Sequence, residues 1–208
     1  MHWQQISMDL LLWPQHIQQF ILNHTSGGRK MRKNKMQPIL IDEFISKELA
    51  EDINNFLRPK TTVNPKGVLS TQLDPFYQFV NDPNFDKYIT IKSIVESIKL
   101  KLGLPVDDIL INRVLYQVLR KGDELGYHTD GYGGVDKYGV IGYSALLYLT
   151  DDYEGGEILF YDDDTPVSYK PKAGTLIYFK GDENYPHQVN KIISGERSNI
   201  ILFFDVMI

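Results

Sequence analysis

Two hydrophobic periods divide the chain. Between residues 86 and 102, apolar side chains recur at Tyr88, Ile91, Ile94, Val95, Ile98 and Leu102. That is the spacing of one helix face, and Gly103 followed by Pro105 supplies the stop. A shorter helix is predicted over residues 46–56, with Ser46 as its cap, Glu48 as the acid of a capping box, and Leu49, Ile53 and Leu57 as its apolar face. Ahead of it, residues 38–41 form a short apolar strand. From Ile109 onward the period shortens. Residues 109–119, 126–130, 143–150, 157–161, 165–170, 174–179, 187–189 and 197–206 read as strands rich in Val, Ile, Leu, Tyr and Phe, with turn residues between them. About eight short strands in succession predict a mainly β protein with flanking helices, built as a double-stranded β-helix (a jelly-roll or cupin-like barrel). An open sandwich is the alternative architecture.

Two segments stand apart from this pattern. Residues 58–81 are polar and broken by prolines, and are expected to be a loop: either a lid over a bound substrate or a plain surface connection. Residues 1–36 read as an extension. Two short amphipathic helices meet at Pro14, the second with Ile17, Phe20 and Ile21 on one side, and Ser26-Gly27-Gly28 leads into the basic run Arg29, Lys30, Arg32, Lys33, Lys35. A solvated linker is the plainer reading of that run and a partner-binding surface the other. The expected organisation is therefore residues 1–36 as an extension and 37–208 as one domain, a length sufficient for a single large core.

Composition narrows the function classes. With no cysteine, neither disulfides nor thiolate metal sites are available. A formal charge of −5 argues against a broad basic surface for nucleic acid. No apolar run reaches the ~20 residues of a membrane span, and the N-terminal apolar stretch is cut by Pro14, unlike a secretory signal. A cytoplasmic protein that engages neither membrane nor nucleic acid is expected.

Candidate chemistry centres on Tyr127-His128-Thr129-Asp130. Residues two apart on a strand leave from the same face, so His128 and Asp130 can converge on one point. If a later strand brings His187 alongside, two imidazoles and one carboxylate form the facial triad that holds Fe(II) with open coordination positions. Arg197, ten residues further on, carries a planar fork suited to a buried carboxylate. By strand parity, Asn199 enters the barrel if Arg197 does, and Ser144, Leu146 and Tyr148 share a face. Other polar clusters have plainer readings. Asp162, Asp163 and Asp164 suit a solvated hairpin turn, and Asp151, Asp152, Glu154 and Glu157 around Gly155-Gly156 suit the next hairpin. The glycine-rich stretch 131–142, with Tyr132 and Tyr138, suits a lid or a substrate contact. His2, His16 and His24 are read as bystanders.

From about residue 38 onward the chain resembles the 2-oxoglutarate- and Fe(II)-dependent oxygenase superfamily, and within it the prolyl-4-hydroxylase-like branch. The resemblance is carried by KGDELGYHTD at 121–130, ALLYLTDDYEGGEILFY at 145–161, KPKAGTLIYF at 170–179 and HQVNKIISGERSNIILFF at 187–204. It implies that His128, Asp130 and His187 ligate Fe(II) and that Arg197 and Tyr148 hold the distal carboxylate of 2-oxoglutarate. It also implies an enzyme that consumes O2 and 2-oxoglutarate, releases succinate and CO2, and hydroxylates an unactivated C–H bond. Ascorbate (vitamin C) is a reductant some relatives require. Two positions depart from the pattern. Leu119 stands where many relatives have a tyrosine that contacts the cosubstrate, which makes Gln117, on the same strand face, the candidate replacement donor, and leaves Tyr116 and Arg113 either on the other face or further from the metal. Arg197 stands where collagen-type prolyl hydroxylases usually have lysine.

The substrate expected first is a peptidyl proline, then another peptide residue or a small molecule, with nucleic-acid demethylation disfavoured by the acidic charge. From a different class, a non-catalytic cupin-like module binding metal or ligand is the alternative. Because imidazoles must be neutral to bind a metal, activity is expected to fall as the pH drops through ~6.

Overall fold

The computed structural model describes residues 37–102, 109–131, 142–162 and 165–206. The N-terminal extension with its histidines and basic run lies outside the described residues, as do Gly103, Pro105, Tyr132, Tyr138, Asp163 and Asp164.

The predicted barrel is present. Thirteen strands are described: β1 (Ile39–Ile41), β2 (Thr62–Val63), β3 (Leu69–Gln72), β4 (Ile109–Arg120), β5 (Leu125–His128), β6 (Tyr143–Tyr148), β7 (Glu154–Gly155), β8 (Ile158–Asp162), β9 (Thr165–Tyr169), β10 (Leu176–Lys180), β11 (His187–Val189), β12 (Ile192–Ser194) and β13 (Glu196–Val206). Seven form a main sheet in the order β1-β10-β6-β13-β4-β3-β2, four form a minor sheet in the order β5-β11-β8-β9, and β12 and β7 form a small ribbon. Every pairing is antiparallel.

Alternation along β13 explains why the main sheet has two apolar faces. Ile200, Leu202 and Phe204 join Val114, Tyr116, Val118, Ala145 and Leu147 in a core shared with the helices. The opposite face carries Leu119, Leu146, Tyr148, Ile177 and Phe179, which close against Ile158, Phe160 and Val189 of the minor sheet. This second cluster is the barrel interior.

Helix α1 (Lys47–Leu57) starts where predicted, with the Ser46 side chain accepting from the Leu49 N–H at 3.2 Å. The capping box is corrected. Leu49, not Glu48, occupies the third helical position, and the Glu48 carboxyl is instead held below its usual range by its own backbone N–H and by Ser46. Helix α2 (Phe85–Lys101) buries the predicted stripe Tyr88, Ile91, Ile94, Val95 and Ile98. Tyr88 stacks on Phe79 with ring centroids 3.8 Å apart, and Phe56 of α1 meets its edge at 5.1 Å. No helix among the described residues is long and apolar enough to cross a membrane.

Two connections differ from expectation. The polar segment 58–81 is not a loop: it contributes the β2–β3 hairpin, which pairs with β4 and extends the main sheet. Its pairing is backbone-driven, with Asn64 Oδ1 accepting from the Lys66 and Val68 N–H groups at 2.9 and 3.1 Å to fix the turn, so no hydrophobic alternation announces it. Nor is the Gly155-Gly156 stretch a hairpin. It carries the chain from β6 in the main sheet to β8 in the minor sheet and is pinned midway by β12. Gly155 and Gly156 both have positive φ (69° and 68°), and a Cβ at Gly155 would stand 2.2 Å from the Lys191 carbonyl oxygen.

Ile91 is fully buried between α2 and the sheet. Ile91→Ala should lower the unfolding free energy by about 2–5 kcal/mol, read as a shift in the denaturant midpoint, with metal affinity at the barrel site unchanged.

Candidate active site

His187 and His128 are directly paired residues on the antiparallel strands β11 and β5, so both imidazoles enter the barrel at the same level. Their ring centroids are 4.3 Å apart. Asp130 joins them differently from the predicted strand alternation. β5 ends at His128, and a bend beyond it swings the carboxylate back toward both rings. The His128 Nε2–Asp130 Oδ1 distance is 3.6 Å and the His187 Nε2–Asp130 Oδ2 distance 3.8 Å. Among the described residues this is the one group of three or more such side chains whose donor atoms lie within 4.8 Å of one another.

The backbone sets both imidazoles in the same tautomer. His128 Nδ1 is 2.7 Å from the Gly126 carbonyl oxygen and His187 Nδ1 is 3.0 Å from that of Tyr185. Each Nδ1–H donates to the carbonyl two residues upstream, which leaves each Nε2 lone pair facing the cluster. Two nitrogens and a carboxylate oxygen on one side of a point is a donor set suited to Fe(II) with the remaining positions open. The residues present therefore fit such an ion.

Electrostatics separate the two histidines. Asp130 raises the His128 pKa, with burial and the Lys66 charge on the β2–β3 turn opposing it. His187, packed against Phe160 and Phe179, has its pKa lowered chiefly by burial. Burial also works to raise the Asp130 pKa, but the two histidines and the Ser144 hydroxyl outweigh it and hold the carboxyl below its ordinary value.

Deeper in the barrel lies Arg197, only 1% exposed. Its Nη2 donates to the Tyr148 hydroxyl at 2.6 Å and its guanidinium carbon is 4.8 Å from that ring's centroid. Among the described residues it forms no ion pair, and its Nε has no hydrogen-bond partner. A buried cation without an acid is costly, and the polar atoms left open are those that a bound carboxylate would satisfy.

Of the other expected residues, Asn199, Gln117, Leu119 and Arg113 share this face. Asn199 pairs with Tyr148 on one side and Gln117 on the other, and its Nδ2 is buried without a partner. Leu119 sits opposite Arg197 as part of the apolar wall. Tyr116 faces away, its hydroxyl donating to Asn54 at 2.7 Å in the helix–sheet core. Arg113 lies on the barrel face, its guanidinium 5.6 Å from the Phe203 ring. Two residues escaped the sequence reading. Ser144 was legible only as a same-face neighbour of Tyr148. Tyr153 sits off any strand, where no periodicity applies. A surface hollow of ≈870 Å³ is lined by Leu40, Asp42, Lys47, Asp151, Lys170 and Thr175, outside the triad. Two of its charges form the Lys47–Asp151 ion pair (3.0 Å), and no member of the triad lines it.

Residues 114–205 match the family model described as the 2OG-Fe(II) oxygenase superfamily. The match lies over the barrel strands from β4 to β13, and the fold is similar to that of solved prolyl 4-hydroxylases. A Pseudomonas putida prolyl-4-hydroxylase superposes with a TM-score of 0.61 at 20% identity over 82% of this chain and 93% of that one. A Trichoplax adhaerens prolyl hydroxylase, solved with a peptide fragment of a hypoxia inducible factor oxygen degradation domain, gives 0.63 at 14% identity over 98% and 93%. In sequence, rat "Prolyl 3-hydroxylase 2" is 43% identical over 65 residues, which is 30% of this chain and 9% of that protein. The Xenopus tropicalis "2-oxoglutarate and iron-dependent oxygenase domain-containing protein 3" is 26% identical over 139 residues, 63% of this chain and 44% of that protein. The matched segment thus spans less than half the length of either curated relative.

A raised His128 pKa has a consequence for metal binding. In the metal-free protein the extra affinity for this proton stabilises the fold below the ordinary imidazole range of ~6.5 and is lost as the pH rises through the raised value. A metal must expel that proton. Affinity for Fe(II) or Mn(II), measured by anaerobic calorimetry, should therefore start to fall above pH ~6.5 on acidification and then drop about tenfold per unit. Affinity constant down to pH ~5 would contradict ligation through His128.

Proposed function

We propose that the domain from residue 37 onward is an Fe(II)- and 2-oxoglutarate-dependent dioxygenase that hydroxylates an unactivated C–H bond of a peptide, with a peptidyl proline as the first choice of substrate. Residues 1–36 are an extension to it. The observation that carries this reading is the pairing, inside one barrel, of the His128–Asp130–His187 cluster with a buried guanidinium that meets no acid among the described residues. A module that merely held a metal would have no use for Arg197.

In this assignment His128, Asp130 and His187 hold the ion, and Arg197, with the Tyr148 hydroxyl, takes the far carboxylate of 2-oxoglutarate. Asn199 and Gln117 line the space between them. When bound, Fe(II) with 2-oxoglutarate supplies the oxidation: one atom of O2 goes into succinate as CO2 leaves, and the other enters the substrate C–H bond as hydroxyl. The protein's own contribution is placement and dryness. The carbonyls of Gly126 and Tyr185 keep both imidazoles correctly oriented, Phe160, Phe179 and Leu146 wall the cluster with apolar surface, and no side chain has to move a proton.

The peptide preference is supported by the structural likeness to prolyl hydroxylases, one of them solved with a peptide. A second reading concerns the ring position. The sequence match to prolyl 3-hydroxylase 2 favours C3, whereas the barrel likeness is to 4-hydroxylases. Amino-acid analysis of the product distinguishes 3- from 4-hydroxyproline.

The test is succinate release by anaerobically purified protein supplied with Fe(II), 2-oxoglutarate, ascorbate and air, with and without proline-containing peptides. Turnover should rise with a peptide, vanish in His187→Ala, and in Arg197→Ala require far more 2-oxoglutarate, a loss of about 2–4 kcal/mol in binding. Undiminished succinate release by His187→Ala would refute the ligand assignment, and no succinate under any condition would leave the metal-binding module as the better account.

A further inference from the structure

Beside Arg197 and Tyr148, the same end of the barrel holds a third polar group, the Tyr153 hydroxyl. The side chain is 4% exposed and packs in the interior cluster with Val68, Leu119, Ile158 and Ile192. Its hydroxyl is buried, with the Arg197 guanidinium facing its oxygen and no acceptor for its hydrogen. Natural structures leave few buried hydroxyls without an acceptor, and one beside the open Arg197 Nε is best explained by a ligand that completes both.

Three contacts hold this ring where it is. Gly195, at φ 75°, lets the β12–β13 turn close on Tyr153, for a Cβ there would stand 2.9 Å from Tyr153 Cα and 3.1 Å from its Cβ. Gly156, at φ 68°, lies between Tyr153 and Arg197, with a Cβ position 3.2 Å from Tyr153 Cε2 and 3.3 Å from Arg197 Cδ. The Lys170 ammonium sits 5.3 Å from the ring centroid. The consequence is that Tyr153 and Arg197 flank the same glycine. Burial pushes the Tyr153 hydroxyl up to about 12, with the Arg197 charge acting against it, so the group is a phenol and a hydrogen-bond donor at neutral pH.

We propose that Tyr153 is a third donor to the distal carboxylate of the 2-oxo acid, so that Arg197, Tyr148 and Tyr153 form a cradle that selects a dicarboxylate over a monocarboxylate. This rests on the dioxygenase assignment and deepens it. The donor count is consistent. A carboxylate has about four acceptor positions. The Tyr148 oxygen already accepts from Arg197, which leaves its hydrogen free to donate onward, and Tyr153 has no other acceptor to serve.

The experiment is a calorimetric titration of the Mn(II)-loaded full chain with 2-oxoglutarate and with 2-oxobutyrate, which offers the same oxo-acid end and no distal carboxylate. Wild type should bind 2-oxoglutarate much the more tightly. In Tyr153→Phe the affinity for 2-oxoglutarate should fall about tenfold, the value expected for one hydrogen bond to a charged group, while 2-oxobutyrate affinity is unchanged. The ligand-free variant should melt close to wild type, because the hydroxyl removed has no acceptor to lose. Equal losses for both acids would assign Tyr153 a structural role, and unchanged 2-oxoglutarate affinity would remove it from the cradle. Failure of the metal-loaded wild type to bind either acid would overturn the dioxygenase assignment itself.

Discussion

A positive charge buried at the bottom of the barrel, with no negative charge among the described residues to meet it, is the condition on which the remaining arrangement depends. Removing a guanidinium from water is tolerable only if its donors find acceptors. In Arg197 the Tyr148 hydroxyl takes one and the Nε is left over. The fold holds the side chain inward by fixing its neighbours outward. Glu196 is gripped by a two-point ion pair with Arg58 at the end of α1, at 2.7 and 2.6 Å. The Ser198 N–H donates to Thr150 Oγ1 at 2.9 Å, and its hydroxyl meets Tyr116 in the helix–sheet core. With residues 196 and 198 tied to the helical side, residue 197 has only the interior to occupy.

The metal-type cluster is positioned by a separate device, the β5–β11 pairing, and the main sheet joins the two. Ser144 at one end of β6 lies beside Asp130, and Tyr148 at the other end lies beside Arg197. One strand therefore spans the distance between the two halves of the site. This is why antiparallel register matters more here than any single contact: a slip of one residue in β6 or β13 would turn Tyr148 or Arg197 into the helical core.

Legibility in the sequence followed from how each feature is encoded. Strong periodicity gave α2 and the long strands to within a residue or two, and parity placed Tyr148, Asn199 and Arg197 on one face because each sits inside a regular strand. The triad was legible since His128 and Asp130 are local and His187 begins a strand, although Asp130 reaches its place through a bend rather than by alternation. The β2–β3 hairpin escaped because its residues are polar and its order comes from backbone pairing and the Asn64 turn. Tyr153 and the Gly155-Gly156 crossover escaped for a related reason. Their geometry is set by close approaches to the Lys191 carbonyl and to Ile192, residues distant in sequence. The displaced capping residue is smaller in scale, a matter of counting the helix from Lys47.

The most direct measurement is a crystal structure of the protein with Mn(II) and N-oxalylglycine, a non-reacting stand-in for 2-oxoglutarate. The account predicts an anomalous metal peak ~2.2 Å from His128 Nε2, an Asp130 carboxylate oxygen and His187 Nε2, with the far carboxylate of the ligand seated on Arg197. A metal bound elsewhere, or a ligand carboxylate that leaves Arg197 unmet, would contradict it.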